Sequence, residues 1–442
     1  MRTFNDDPTI LQALAGGCAG TRSLSFGMQP RQGDVAMQLG ERVTEAPAHV
    51  PKDLVREYPI KMGALVDDNP FDTTIPEIHE TMPPIFYSLD AYPGGTPAWI
   101  MRRAADLEAV YLDTKNFSNK DFAPFAMLVG ESWNLLPAET DPPTHQHYRK
   151  FVNPIFAPKA INKLDAKIRQ YAQEYCADIK AKGSCEFVHD FAFEFPIKVF
   201  LELMALPQSM VKTFLEWEMG LLHSNDLPGI AANTAKVVAY LREQIADRKA
   251  NPGDDLLSYG VTAGIYGRPL TDDELVGFAF NLFVGGMDTV STNMAWQFRH
   301  LATHQEDQDM LRANPDMILD AIEEMMRAYP AVTTFRTCKN EVTINGITMQ
   351  PGDKVAMPTC LAGRDPEAYE DPDVVKLGRK SRYLSFGFGP HLCVGMHLAR
   401  REMRIALEEF LKAIPPFRIQ DGYQVKTHTG GILQPDKLPL VW

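Results

Sequence analysis

At 442 residues, 45% of them hydrophobic, the chain can bury a large core, and length alone would allow roughly two or three domains. With 57 acidic against 44 basic residues the formal net charge is −13, which excludes a broad nucleic-acid-binding surface and leaves an ordinary enzyme or binding protein whose basic patches are local. No run approaches the roughly 20 apolar residues of a membrane span, and six scattered cysteines without a CxxC pair argue against a disulfide framework or zinc site and suit a reducing cytoplasm.

The chain opens on MRTFNDDPTI, with acids early, and continues into LQALAGGCAGTRSL, too short and too broken by glycine to be a signal peptide. Residues 1–46 read as a weakly ordered N-terminal extension. Residues 47–442 hold no repeat, low-complexity tract or long linker and read as a single domain. DPPTHQHYR (Asp141–Arg149) starts a helix after its prolines. From Leu164 to Ile265 apolar residues recur at three and four, with Gly or Pro at the joints, which predicts successive helices. Thr271–Asp273 marks the start of a long apolar segment, ELVGFAFNLFVGGMDTVSTNMAWQFRHLA, expected as one central helix buried on most sides. Asp316–Tyr329 is amphipathic and stops at Pro330. Short β-like stretches follow (EVTING, ITMQPGDKVAM), and a last helix, HLARREMRIALEEFLKAI, ends at Pro415–Pro416. The predicted fold is mainly α with a small β-rich region toward the C-terminal side.

Four segments carry chemistry. In SFGFGPHLCVG (Ser385–Gly395) one cysteine lies among three glycines. A lone cysteine is usually a small buried hydrophobe, but the surroundings of Cys393 suit more than packing. Gly387, Gly389 and Gly395 let the backbone turn tightly beside a flat ligand, and the helix that follows turns its N-terminal dipole toward the sulfur. Phe386 shields the site and His391 is set to meet an acidic group at the ligand's edge. A thiolate kept as a metal ligand needs such a setting, and these features suit an axial thiolate on haem iron. GGMDTVS (Gly285–Ser291) has two readings. Its glycines serve close helix packing, with Asp288 satisfied locally; or they let a flat cofactor and dioxygen approach, with Thr289 hydrogen-bonding oxygen and Asp288 relaying protons. In EEMMR, Glu324 and Arg327 sit three apart on one helix face, a pattern that chance supplies roughly once in a chain of this charge. His145 and Arg149, at i and i+4, form either a solvated basic face or a clamp for buried carboxylates.

FGFGPHLCVG resembles the haem-binding signature of the cytochrome P450 family of haem-thiolate monooxygenases, with Phe386, Gly389, His391, Cys393 and Gly395 at its specified positions. GGMDTVS is similar to that family's oxygen-activating motif, Asp288–Thr289 forming its acid–alcohol pair. The order of the oxygen helix, EEMMR and the cysteine loop also matches. The resemblance runs from about Pro47 to the end and is to the bacterial camphor-hydroxylase group, through VGGMDTV, HLARREM and LPLVW. It implies haem b with Cys393 as proximal iron ligand and His391 near a propionate. It further implies a propionate clamp of His145, Arg149 and Arg336, and a structural Glu324–Arg327 pair with Arg379 as third partner, in a KLGR that lacks the motif's usual aromatic residue. Electrons would come from a [2Fe–2S] ferredoxin and an NADH-dependent reductase, docking near the cysteine loop on Arg103, Arg149 and Lys380.

By position the substrate pocket consists of Trp133, Leu135, Asn281, Val284, Gly285, Val332, Thr334, Ile432 and Leu433. Trp133 stands where the camphor enzyme uses a tyrosine hydroxyl; an indole donates but cannot accept. The pocket suits a compact, mostly apolar terpenoid bearing one oxygen, such as camphor, 1,8-cineole or a norisoprenoid. The expectation is a cytoplasmic monooxygenase that hydroxylates an unactivated C–H bond, with no nucleic-acid or membrane partner. Alternatives are a haem-thiolate peroxygenase or isomerase, a non-catalytic haem-binding sensor, and a cysteine hydrolase with Cys393 as nucleophile.

Overall fold

The computed structural model describes residues 43–442 apart from 93, 94, 225 and 381. The extension expected over residues 1–46 therefore lies almost wholly outside the described residues. The elements that position the site are, in chain order, β1 (Ala64–Val66), β2 (Ile85–Tyr92), β3 (Thr96–Met101), β4 (Phe117–Ser118), α1 (Thr144–Val152), α2 (Asp165–Lys180), α3 (Glu194–Leu203), α4 (Val211–Leu222), α5 (Leu227–Ala250), α6 (Asp272–Gly286), α7 (Asp288–Thr303), α8 (Ile318–Ala328), β5 (Thr333–Cys338), β6 (Lys354–Pro358), α9 (Met396–Ala413), β7 (Thr427–Thr429) and β8 (Gln434–Pro435). The chain is mainly helical, as the periodicities predict, but the β structure is not confined to the C-terminal side: β2, β3 and β4 supply three of the five strands of the largest sheet.

The central segment starts with a reciprocal cap. Thr271 Oγ1 accepts from the Glu274 amide at 3.2 Å, and Glu274 Oε2 accepts from the Thr271 amide at 2.7 Å. Three acids in the first turn of α6 complement its dipole. The run Asp272–Thr303 has the length and apolarity of a membrane span, contrary to the expectation that no such run exists, but 72% of its most apolar window is buried inside the protein. It is a core element. It is also not one helix: the chain breaks at Met287 (φ −108°, ψ −67°), between α6 and α7. The adjacent Gly285–Gly286 pair weakens the helix there, and the Thr289 hydroxyl donates to the Gly285 carbonyl at 3.0 Å.

Of the five sheets among the described residues, two bear on the site. The larger has the order β2-β3-β6-β5-β4. β6 pairs in parallel with β3 (Val355↔Trp99) and antiparallel with β5 (Val355↔Arg336, Met357↔Thr334), so register fixes where Arg336 and Thr334 emerge. The smaller has the order β1-β7-β8, with His428 paired to Leu65 on one side and Gln434 on the other. Beneath α7 and α9 an aromatic stack forms the floor of the core. Phe187 lies 4.0 Å from Phe298 by ring centroid, and Phe298 lies 4.8 Å edge-on from Phe410. The described cysteines other than Cys393 serve packing, Cys176, Cys185 and Cys360 in this core and Cys338 in the cluster around Trp99. Burial pushes the thiols of Cys176, Cys185, Cys338 and Cys360 up to about 12.

The central helix also fixes the loop that precedes α1. A Cβ on Gly277 would lie 2.0 Å from the Asn134 carbonyl oxygen, while the Leu136 amide donates to the Gly277 carbonyl at 3.3 Å. Only glycine allows this backbone-on-backbone contact. Gly277→Ala should destabilise the protein by about 1–3 kcal/mol, the usual cost of overpacking, read as a lowered midpoint in urea denaturation.

Candidate functional site

The cysteine loop is a tight turn closed by its own backbone. The Gly387 amide donates to Leu384 O, Leu392 to Gly389 O, and Cys393 to Phe386 O, at 2.8, 3.1 and 2.8 Å. Gly387 and Gly389 have φ of +69° and +67°, and a Cβ on Gly389 would press within 3.2 Å of the Tyr111 carbonyl oxygen. Gly395 has an ordinary φ of −80° as N-cap of α9, and its place is set by the sulfur 3.9 Å from where its Cβ would be. Burial raises the Cys393 thiol above its ordinary range, against the amides of Gly395 and Met396, which donate to the sulfur, and the guanidiniums of Arg149 and Arg400. Unlike the other described cysteines, Cys393 is exposed. Deep in the protein as it lies, its sulfur keeps an open side. The Phe386 ring is capped by the Arg400 guanidinium, 4.7 Å from the ring centroid, and Arg400 is held by Glu323 at 2.6 and 3.0 Å. The reading from sequence passed over Arg400, although it lies in the quoted HLARREM.

Beside this loop stands a group of buried nitrogens. The rings of His145 and His391 are 3.9 Å apart by centroid, and neither nitrogen of His145, nor Nε2 of His391, has a partner. Burial holds both imidazoles down, aided by the nearby arginines, to about 4 for His145 and about 2 for His391. His391 Nδ1 is 3.2 Å from the amide of Asn119, a residue absent from the sequence-based set because only the β4–β5 pairing brings it here. Arg149 donates to Leu392 O at 2.6 Å, and burial lowers its pKa while the Cys393 sulfur opposes. Arg336 is buried over the Tyr111 ring at 5.3 Å and donates to Phe335 O at 2.6 Å; burial lowers its pKa as well. Unmet buried nitrogens are costly, and carboxylates are the groups that would satisfy them. With an open thiol in the same loop, these residues fit haem: a sulfur for iron and an imidazole–guanidinium cluster for propionates.

Glu324 and Arg327 are fully buried and joined twice, Nε to Oε2 at 3.0 Å and Nη2 to Oε1 at 2.8 Å. Arg379 Nε and the Lys376 amide complete Oε1 at 3.1 and 2.9 Å, so KLGR supplies the third partner without an aromatic residue. Arg327 further donates to the carbonyls of Gly363, Pro372 and Val374. On the central helix, Asp288 is buried, with Oδ1 3.0 Å from His223 Nε2 and Oδ2 unpartnered. Gly285 is exposed in the middle of a buried helix, and a Cβ there would meet nothing within 4 Å. That open face suits the approach of a flat cofactor better than helix packing does. Val394 and Leu398, just past Cys393, pack on the same apolar cluster as Val284 and Met287.

The expected pocket needs correction. The Trp133 N–H is already given to Glu131 Oε2 at 2.5 Å, and Glu131 is held by Arg242 at 2.7 Å; the indole is buried against Phe280, 4.9 Å away. It presents no polar handle. Leu135 is buried beneath the Glu139 clamp, and Leu433 is buried in the main core, its carbonyl accepting from Trp296. The Thr334 hydroxyl is spent on Tyr111 OH at 2.7 Å. Asn281, Val284, Gly285, Val332 and Ile432 remain partly open, the last two bridged as strand partners. The expected docking cations are likewise engaged. Arg103 pairs with Asp106 and Glu367, and Lys380 with Asp320, while Arg149 reaches inward; of the three only Lys380, 72% exposed, is a surface charge.

Comparison with known proteins is consistent with this geometry. The family model described as Cytochrome P450 matches residues 202–439. The chain is 35% identical over 402 residues to the probable cytochrome P450 127A1 of Sinorhizobium fredii, covering 90% of this chain and 96% of that protein. It is 34% identical to the erythromycin C-12 hydroxylase of Saccharopolyspora erythraea, covering 71% of this chain and 81% of that one. Among solved structures, that of CYP101J2 superposes with a TM-score of 0.80 at 30% identity, over 90% of this chain and all of that chain.

Removing the Arg327 side chain leaves Glu324 buried with half its partners and takes a donor from the carbonyls of Gly363, Pro372 and Val374. Arg327→Ala should cost about 3–5 kcal/mol in urea denaturation. Arg327→Lys should recover little, because an ammonium cannot reproduce the two-pronged contact.

Proposed function

The chain belongs to the cytochrome P450 family of monooxygenases, and on that premise we propose that it hydroxylates an unactivated C–H bond of a small terpenoid, with residues 47–442 as its catalytic domain. The observation that carries the haem-thiolate reading is the open, N–H-supported sulfur of Cys393 in one loop with the unpartnered imidazole of His391. Haem b, held through Cys393, supplies the centre at which dioxygen is activated, one oxygen atom entering the substrate and the other leaving as water. The protein's own contributions are as follows. The amides of Gly395 and Met396 and the start of α9 favour the thiolate form. His145, Arg149, Arg336 and His391 take the propionates. Thr289 holds a hydroxyl beside the exposed Gly285, where it orients oxygen and water, and Asp288 passes protons to it.

The substrate class follows from what the open residues offer. Val284, Val332 and Ile432 are aliphatic, and Asn281, one turn before Gly285 on the same helix face, brings an amide with both donor and acceptor. With the Trp133 indole and the Thr334 hydroxyl already engaged, Asn281 is the anchor for a single ketone or ether oxygen on a compact apolar skeleton. Likeness to the CYP101 structures supports the resemblance to the camphor-hydroxylase group. Electron supply by a [2Fe–2S] ferredoxin with an NADH-dependent reductase, and a cytoplasmic location, belong to the same reading. With Arg103 and Arg149 partly buried, ferredoxin docking near the cysteine loop rests on the exposed cations Lys380 and Arg382, which pair with Asp320 and Glu108 at the surface.

The reduced, carbon-monoxide-bound protein should show the Soret band of a thiolate ligand, and Cys393→His should lose it; a wild-type spectrum without that band ends the proposal. A panel of monoterpenoids, norisoprenoids and fatty acids scored by the low-to-high spin shift should single out cyclic ketones or ethers. Asn281→Leu should weaken those by about 1–3 kcal/mol and leave the parent hydrocarbons unchanged. A response to long fatty acids alone would overturn the substrate class. In turnover, Thr289→Ala should divert electrons to peroxide, and unchanged coupling would remove Thr289 from the mechanism.

A further inference from the structure

Behind the acid of the oxygen helix lies a set of buried titratable groups that the reading above does not use. Glu218, on α4, has no exposed surface, and neither of its carboxylate oxygens has a partner. Burial and the nearby Asp288 push its pKa well above the ordinary carboxylate range. His223, the C-cap of the same helix, contacts Asp288 Oδ1 through Nε2 at 3.0 Å. Burial works against charge on His223, but the Asp288 carboxylate, by charge and by hydrogen bond, outweighs it and holds the imidazole above its ordinary range. The His223 imidazole and the Asp288 carboxyl thus meet in a buried, charge-assisted contact, with the unpartnered Glu218 carboxyl nearby.

The way outward is also histidine. The His428 ring, on the central strand β7, lies 6.1 Å from that of His223 by centroid at 75°. His428 Nε2 is 2.9 Å from Asp436 Oδ1, and both side chains are about a third exposed, at 33% and 29%. On another side the Phe193 ring, also 6.1 Å away, closes His223 off with an apolar face. The groups facing His223 are therefore Asp288 on α7, with Glu218 behind it, and the His428–Asp436 pair on the β1-β7-β8 sheet.

We propose that His223 is a proton-shuttling residue that connects solvent, through Asp436 and His428, to Asp288 on the oxygen helix. The imidazolium gives its Nε2 proton to Asp288 Oδ1 and is left neutral. The ring then turns about its side-chain bonds and takes its next proton from His428, which Asp436 and solvent recharge. Charge balances at each transfer, and no group beyond water is needed. This inference rests on the role given above to Asp288.

Two measurements test it. In the reduced, carbon-monoxide-bound holoenzyme with ring-labelled histidine, NMR titration should show His223 still protonated at pH 7, and Asp288→Asn should move its pKa down. In turnover with the terpenoid that gives the largest spin shift, Asp288→Asn should slow product formation about a hundredfold, at the lower end of what a positioned proton donor contributes. His223→Gln, which keeps the hydrogen bond but cannot shuttle, should slow it by about tenfold or more, with extra peroxide per NADH. His428→Gln, at a side chain one third exposed, should also slow it, because it cuts the route to solvent. If Asp288→Asn slows turnover while His223→Gln and His428→Gln do not, the shuttle is wrong and the role of Asp288 stands. If Asp288→Asn has no effect, the role of Asp288 fails and the shuttle with it. A neutral His223 at pH 7 whose titration ignores Asp288→Asn overturns the shuttle without any turnover measurement.

Discussion

The arrangement of the proximal side hangs on one carboxylate. Glu324 has no contact with water, and its two oxygens accept four N–H bonds, two from Arg327 and one each from Arg379 and the Lys376 amide. A buried charge is tolerable only when satisfied to this degree. Two of these donors, Arg379 and the Lys376 amide, reach back to it from the segment that leads into the cysteine loop. The same turn of α8 does more: Glu323 holds Arg400 over Phe386, and the Met326 carbonyl accepts from Ser385 at 2.5 Å. Five consecutive residues, 323–327, thereby set the position of the loop that carries Cys393. The thiol's backbone donors, and the imidazole two residues before it, inherit their places from that turn.

Wherever contacts close within short, contiguous motifs, the sequence was legible. The turn of the cysteine loop and the Glu324–Arg327 pair of EEMMR close within a few residues, so local geometry was enough to anticipate them, whereas Asp288 finds its partner in His223, far along the chain. KLGR was legible too, because the charge of Arg379 mattered and the absent aromatic did not. The capping box at Thr271 and the stop at Pro330 follow from local chemistry in the same way. The break at Met287 was only half visible: the glycine pair signals weakness, but apolar periodicity continues straight across it.

What failed to show was everything decided by a partner far along the chain. Trp133 was assigned a substrate contact because its position resembled that of a ligand-binding tyrosine; Glu131 and Arg242 consume its N–H instead. Thr334 loses its hydroxyl to Tyr111, and Arg103 its charge to Asp106 and Glu367. Nothing near these residues in sequence marks the competitor. Asn119, His223 and Glu218 were missed for the complementary reason. Each sits in an unremarkable local setting and gains meaning only when a sheet or a helix pair brings it beside His391 or Asp288.

The four deeply buried thiols have a consequence for the protein's durability. Any catalyst that handles dioxygen and leaks part of it as peroxide exposes itself first to its own product. Peroxide attacks thiolates, and with their pKa pushed up to about 12 Cys176, Cys185, Cys338 and Cys360 present almost none. Oxidative ageing should therefore begin at the sulfur that does the work, so that among the described cysteines the lifetime of the molecule is counted at Cys393 alone.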